Sequence, residues 1–137
     1  MVYGSGLLSE VARRLKGQFN ENAKSWGFFE LMPELNHNAV LGYTNPEALR
    51  QSILVIALRS DYDHRRVGIR FDVTADLLSQ AGVEQQTVRA RGRSRMAQML
   101  STVHFGDYVS LYLAYLYGTD PTPVKAIGYL KEHLARS

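Results

Sequence analysis

The run SILVIALRS, residues 52–60, constrains the fold more than any other stretch of the chain. Six consecutive apolar residues, Ile53 to Leu58, carry no polar alternation, and Ile53, Val55 and Ile56 are β-branched. A strand with one wet face alternates polar and apolar residues, because successive side chains point to opposite faces. An unbroken apolar strand has to be covered on both faces, which is the usual condition inside a parallel sheet.

The flanking patterns are helical. Leu7, Leu8, Val11, Leu15 and Phe19 recur at three- and four-residue spacing, which predicts a helix ending near Phe19 or Asn20, with Ser5 as its N-cap. MVYGSG ahead of it reads as the end of a strand and a glycine turn. The abrupt start raises the expectation of a piece of a longer protein. Pro33 and a cluster of asparagines predict loop in the second half of residues 18–38. Residues 39–43, AVLGY, read as a short strand, and NPEALR as one helical turn with Asn45 as cap and Pro46 at the first position. Phe71, Ala75 and Leu78 mark a helix that Gly82 stops. QTVRARG, residues 86–92, reads as a shorter strand. From Met96 to Tyr117 the chain is apolar nearly all round, which predicts a central buried helix. After the turn GTDPTP, the residues Val124, Ile127, Leu130 and Leu134 predict a last helix with Pro123 near its start. Strands alternating with helices define an α/β class with a parallel sheet, and 137 residues suit one domain.

Composition narrows the function. The absence of cysteine excludes thiolate catalysis and Cys-based zinc sites, and fits a reducing, cytoplasmic setting. A net charge of +3 is too small to argue for a nucleic-acid partner. No stretch has the length of a membrane span, and no secretory leader pattern opens the chain. No two histidines fall at i, i+4 and no HExxH occurs, so no metal is expected.

The candidate chemistry gathers in QFNENAKSWGFFELMPELNHN, residues 18–38. Amides, charges and aromatics mixed in this way suit a pocket for a polar small molecule. Glu21, beside Asn22 and Lys24, is a candidate general base; the plainer alternative is a carboxylate pairing at a helix end. His37 can shuttle a proton if its tautomer is fixed, or simply bond to loop backbone. Lys125 stands in the first turn of the last helix, against the macrodipole, which suits an anion or a developing negative charge there; the alternative is a solvated lysine. Arg89, Arg91, Arg93 and Arg95 alternate, so on a strand they would share a face, as a phosphate or nucleic-acid patch or as a solvated sheet end; aromatic interleaving is absent. GSG near the start is a weak phosphate-turn signal. Ligands of open parallel sheets sit beyond the carboxyl ends of the strands. The 18–38 stretch, RSDYDH and RGRSR are expected at that edge.

Three motifs in order carry a family likeness. VYGSGLLSEVARRLKGQFNENAK, PELNHNAVLGY and HFGDYVSLYLAYLYGTDPTPVKAIGYLKEHL resemble the C-terminal half of the bifunctional phosphoglucose/phosphomannose isomerases, members of the sugar isomerase (SIS) superfamily. The resemblance covers nearly the whole chain. It implies a three-layer α/β/α sandwich and an aldose–ketose isomerase. Such an enzyme interconverts glucose 6-phosphate or mannose 6-phosphate with fructose 6-phosphate through a cis-enediol, with no metal or organic cofactor. It implies Glu21 as the base and His37 as the ring-opening group, supplied by the neighbouring subunit of a homodimer. A lysine near the last helix, Lys125 or else Lys131, would assist at oxygen. Thr122, or else Thr119, would leave room for both C2 epimers. Asn22 and Asn36 would face sugar hydroxyls, with the aromatics walling the site from water. The phosphate-gripping Ser/Thr-rich loop of the family's first SIS domain is nowhere in the chain. The resemblance therefore implies a missing N-terminal SIS domain and a weak isomerase when the chain acts alone. A non-catalytic sugar-phosphate-binding module is the alternative.

Overall fold

The computed structural model describes residues 1–136. Four parallel strands form the sheet: β1 (Val2–Ser5), β2 (Phe29–Met32), β3 (Leu54–Arg59) and β4 (Glu84–Arg89), in the order β2-β1-β3-β4. The helices are α1 (Ser9–Glu21), α2 (Glu47–Arg50), α3 (Arg65–Gln80), α4 (Arg95–Leu116) and α5 (Lys125–Leu134). The α/β class and the parallel sheet expected from the sequence are both present.

Strand β3 shows why the run could not alternate. Val55 and Ala57 enter a core with Phe71 and Leu78 of α3. Leu58 and the half-buried Ile56 enter a second core with Val11, Leu15 and Phe19 of α1. Helix α3 thus covers one face of the sheet while α1 and α4 cover the other, giving three layers. Gly4 sets the approach of α1. A Cβ at that position would lie 2.7 Å from the Leu8 carbonyl oxygen and 2.8 Å from Ala12 Cβ. The glycine in GSG therefore serves packing between helix and strand.

Several local expectations are corrected. Ser5 ends β1 and makes no cap bond; its hydroxyl donates to Asp63 Oδ1 at 2.6 Å instead. Residues 29–32, expected as loop, form the edge strand β2. Ala39–Gly42 is a 3-10 turn rather than a strand, because Asn38 Oδ1 accepts from the Ala39 N–H at 2.6 Å and caps it. Pro46 lies just outside the short α2 as its N-cap. The last strand ends at Arg89, so Arg91 and Arg93 lie in the following loop and Arg95 begins α4. No common strand face gathers the four arginines.

Helix α4 departs most from expectation, because it is not buried all round. Gln98, Thr102, Gly106, Ser110 and Ala114, at four-residue intervals, are its buried residues. The larger side chains Tyr108, Tyr112 and Tyr115 are 48%, 60% and 62% exposed. Small residues on the inner stripe let α1 approach closely; the apolar bulk is left outside. Gln98 is fully engaged at the helix start. Its Oε1 accepts from the Ser60 hydroxyl and the Asp61 N–H, and its Nε2 donates to Asp61 Oδ2 and the Gly92 carbonyl. These bonds fix α4 to the β3–α3 turn.

A candidate active site at the end of helix α1

A helix following a parallel strand runs back across the sheet, so α1 carries its C-terminal end to the amino edge of the strands. Glu21 is the last residue of α1 and stands there. The chain returns to the same place after α4. The two segments are clamped by Lys24, whose Nζ donates to the Glu21 carbonyl at 2.6 Å and the Pro121 carbonyl at 3.2 Å. Lys24 holds a left-handed backbone, φ 52°, unusual for a residue with a side chain.

Around this clamp lies a groove of about 550 Å³ lined by Glu21, Lys24, Asp120 and Lys125. Glu21 is exposed, and among the described residues no donor or cation engages its carboxylate. Lys125 opens α5 and is likewise without an acidic partner among the described residues. Asp120 is already engaged. The Thr122 backbone N–H donates to its Oδ1 at 2.9 Å. That bond, the Thr122 hydroxyl and the nearby Lys24 cation hold its carboxyl below the usual carboxylate range. Of the two groove carboxylates, Glu21 is therefore the one left unengaged.

Asn22 and Thr122 line an adjoining groove of about 580 Å³. Asn22 Nδ2 donates to Ser110 Oγ at 2.8 Å and Gln18 Oε1 at 3.2 Å, which pins α1 to α4 beside the base. Thr119 lines the Glu21 groove. Lys131 lies farther along α5 and lines neither groove.

His37 and Asn36 lie elsewhere. They follow β2 at the carboxyl edge of the sheet, so the four residues of β2 separate them from Glu21 by about 13 Å at ~3.3 Å per residue. Asn36 ties that edge together: its Nδ2 donates to Thr74 Oγ1 at 3.0 Å and its Oδ1 accepts from Arg70 at 3.1 Å. His37 is exposed. One chain does not bring His37 to Glu21. The 18–38 stretch thus crosses from one edge to the other, and its aromatics do not wall the groove: Trp26 is 91% and Phe28 56% exposed. The carboxyl edge between β1 and β3, where the topology leads one to expect a ligand, is tied together by the protein's own hydrogen bonds. There Asp63 accepts from the Ser5 hydroxyl and the Ser60 N–H.

Sequence reading passed over the roles of Lys24 and Asp120. Both depend on a contact between segments 97 residues apart; the only local sign was a lysine three residues after Glu21. Among the described residues no group of three His, Asp or Glu side chains could hold a metal ion, and no helix is long and apolar enough to cross a membrane.

The family model of the bacterial phospho-glucose isomerase C-terminal SIS domain matches residues 1–134. The chain belongs to this family. Bifunctional phosphoglucose/phosphomannose isomerases from Aquifex aeolicus and Caldicellulosiruptor bescii are each 43% identical, over 99% and 98% of the chain. The chain spans only 42% and 40% of their lengths. A glucose-6-phosphate isomerase-like protein from Thermus thermophilus superimposes with a TM-score of 0.64 at 20% identity, over 96% of this chain and 42% of that one. At that identity the likeness speaks for the SIS fold, in agreement with the three layers described above.

Proposed function

We propose that this SIS domain supplies the proton-moving part of an aldose–ketose isomerase site acting on glucose 6-phosphate or mannose 6-phosphate and fructose 6-phosphate. The observation that carries the reading is the shared groove of Glu21 and Lys125, with the Glu21 carboxylate unengaged. Isomerisation moves hydrogen between neighbouring carbons without net oxidation, so it needs a positioned base and a stabiliser of charge on oxygen. In the open-chain aldose, Glu21 takes the proton from C2. The freed electron pair forms the C1–C2 double bond, and the carbonyl oxygen gains the charge that the Lys125 ammonium meets. The C2 hydroxyl proton passes to the C1 oxygen, and Glu21 returns its proton to C1, leaving a ketone at C2 and a hydroxyl at C1. Thr122 borders the neighbouring groove, where the C2 substituents of both epimers would have to fit. No cofactor enters these steps.

Two features support a site completed by other bodies. Glu21 and Lys125 stand in open water, whereas a base and a cation act more strongly once water is excluded. His37, the ring-opening group by resemblance, lies at the far edge and would reach a sugar only from the neighbouring subunit of a homodimer. A preceding SIS domain would supply the phosphate grip, and with it binding energy that supports the chemical step. The cysteine-free composition suits the cytoplasm as its setting.

The test is a coupled assay of fructose 6-phosphate to glucose 6-phosphate, on this chain with the phosphate-gripping domain restored. Glu21→Gln should lower turnover by roughly two to four orders of magnitude, while calorimetric affinity for fructose 6-phosphate stays within about threefold. The chain alone should fall far below the ~10 per second of an ordinary enzyme. Turnover that survives in Glu21→Gln would sink the assignment of the base. Undiminished binding with no turnover in either form would point to the non-catalytic module.

A further inference from the structure

A third groove, of about 1080 Å³, follows the free edge of β4 at the opposite end of the sheet from β2. Arg59, Arg89 and Arg91 line it, and no carboxylate does. Arg59 and Arg89 are in-register partners at the carboxyl ends of β3 and β4, so two like charges stand side by side and repel. Only Arg59 is compensated, by Asp72 at 2.5 Å and by the Phe71 ring, whose centroid is 5.4 Å away. Arg89 and Arg91 are exposed and meet no acidic side chain among the described residues. The Arg91 backbone is nevertheless fixed in place. Its N–H donates to Ser101 Oγ at 3.0 Å, and its carbonyl accepts from the same hydroxyl at 2.7 Å. Such positions ask for an external anion of about two charges.

Aromatic side chains of α4 line the groove as well. Phe105 and Tyr108 are 43% and 48% exposed, and His104 packs edge-on against Tyr108 at 4.9 Å. We propose that this groove binds a nucleoside diphosphate, with its pyrophosphate on Arg89 and Arg91 and its base against Phe105. Arginine pairs of this kind suit pyrophosphate oxygens, and an exposed aromatic face stacks a base. The site is separate from the Glu21 groove and does not depend on the isomerase reading.

The probes are ADP and inorganic pyrophosphate, titrated calorimetrically into the protein at low salt. Saturable binding of both is expected, with ADP tighter by about tenfold, the worth of one stacked base. The double variant Arg89→Gln, Arg91→Gln should weaken both by at least about tenfold, and added salt should weaken them progressively. Both arginines are exposed, so its thermal melt should match the parent; Arg91→Glu alone, in a loop, is a second variant with the same expected direction. Phe105→Ala should reduce ADP affinity toward that of pyrophosphate, and Glu21→Gln should change neither. No saturable binding of either probe would overturn the site, as would full affinity in the arginine variants or loss in Glu21→Gln. ADP binding no tighter than pyrophosphate would overturn the nucleotide assignment.

Discussion

Tyr3 places a phenol in the core, 1% exposed, with its hydroxyl donating to Tyr43 Oη at 3.2 Å. Burial first, and that hydrogen bond second, push its ionisation well above the ordinary phenol range. The sign of the consequence is fixed. The unfolded chain releases this proton near pH 10 while the folded chain keeps it. The stability it contributes is therefore complete below pH ~10 and is lost as pH rises, at up to about 1.4 kcal/mol per pH unit. Denaturant melts at pH 9 to 11 should show that loss, and Tyr3→Phe should flatten it; a variant with the parent's slope would refute the argument. Tyr43 is displaced in the same direction, chiefly by burial, so part of the slope should remain. At this scale the sequence offered residue identities more readily than partners. Glu21 and Lys125 stood out because a carboxylate among amides, and a cation at a helix start, are local signals. Lys24 and Asp120 gave no such signal, because their roles arise only when α5 returns to the end of α1.

Between elements, the α1–α4 contact turns on Gly106. A Cβ there would meet Leu15 Cδ1 at 2.7 Å, and Leu15 is itself 2% exposed. Alanine would gain about 1 kcal/mol of helix propensity and lose a comparable amount to the clash, so Gly106→Ala should be nearly neutral. Gly106→Leu should cost about 1–3 kcal/mol by overpacking. Leu15→Ala opens a cavity worth about 2–5 kcal/mol, which the new side chain would partly fill. The double variant should then be more stable than the sum of the single effects, by roughly 1 kcal/mol or more; strict additivity in chemical denaturation would show that the two positions do not meet. This contact also explains what the sequence concealed in α4. A helix apolar nearly all round reads as buried, yet its inner stripe consists of small and polar residues, and that stripe is visible only at a spacing of four. Strand β2 was hidden for a different reason. Four residues at a sheet edge, stopped by Pro33, take their conformation from pairing with β1 rather than from any pattern of their own. The long apolar run of β3 needed no such help.

For the whole molecule, the unusual quantity is apolar surface left bare. Tyr112 and Tyr115 on α4, Leu116 at 82% exposure, Ile127 and Leu130 on α5, and Trp26 at 91% all face solvent. Such patches on a folded chain mark surfaces that another body covers. The same need arises under the proposed function, since His37 and Glu21 lie at opposite edges of one sheet and the proposed isomerase site uses both. A homodimer that buries the C-terminal end of α4, from Tyr112 to Leu116, would cover the patch, leave Phe105 free at the β4 groove, and supply the second chain that His37 needs. Light scattering at micromolar concentration should therefore give about twice the 15.5 kDa chain mass. Tyr112→Glu with Leu116→Glu should return the monomer without lowering the melting temperature of the monomeric fold, because neither side chain contributes to the two cores. If the parent is already monomeric, or the charged variant remains dimeric, the α4 face is not the interface. His37 would then need another route to the sugar. If instead the variant is a folded monomer and isomerase activity disappears with the dimer, mixing a Glu21→Gln chain with a His37→Ala chain, both of intact α4, decides the geometry. Activity recovered in the mixture would require one protomer's His37 to serve the other's Glu21, and no recovery at any ratio would place both groups on the same protomer.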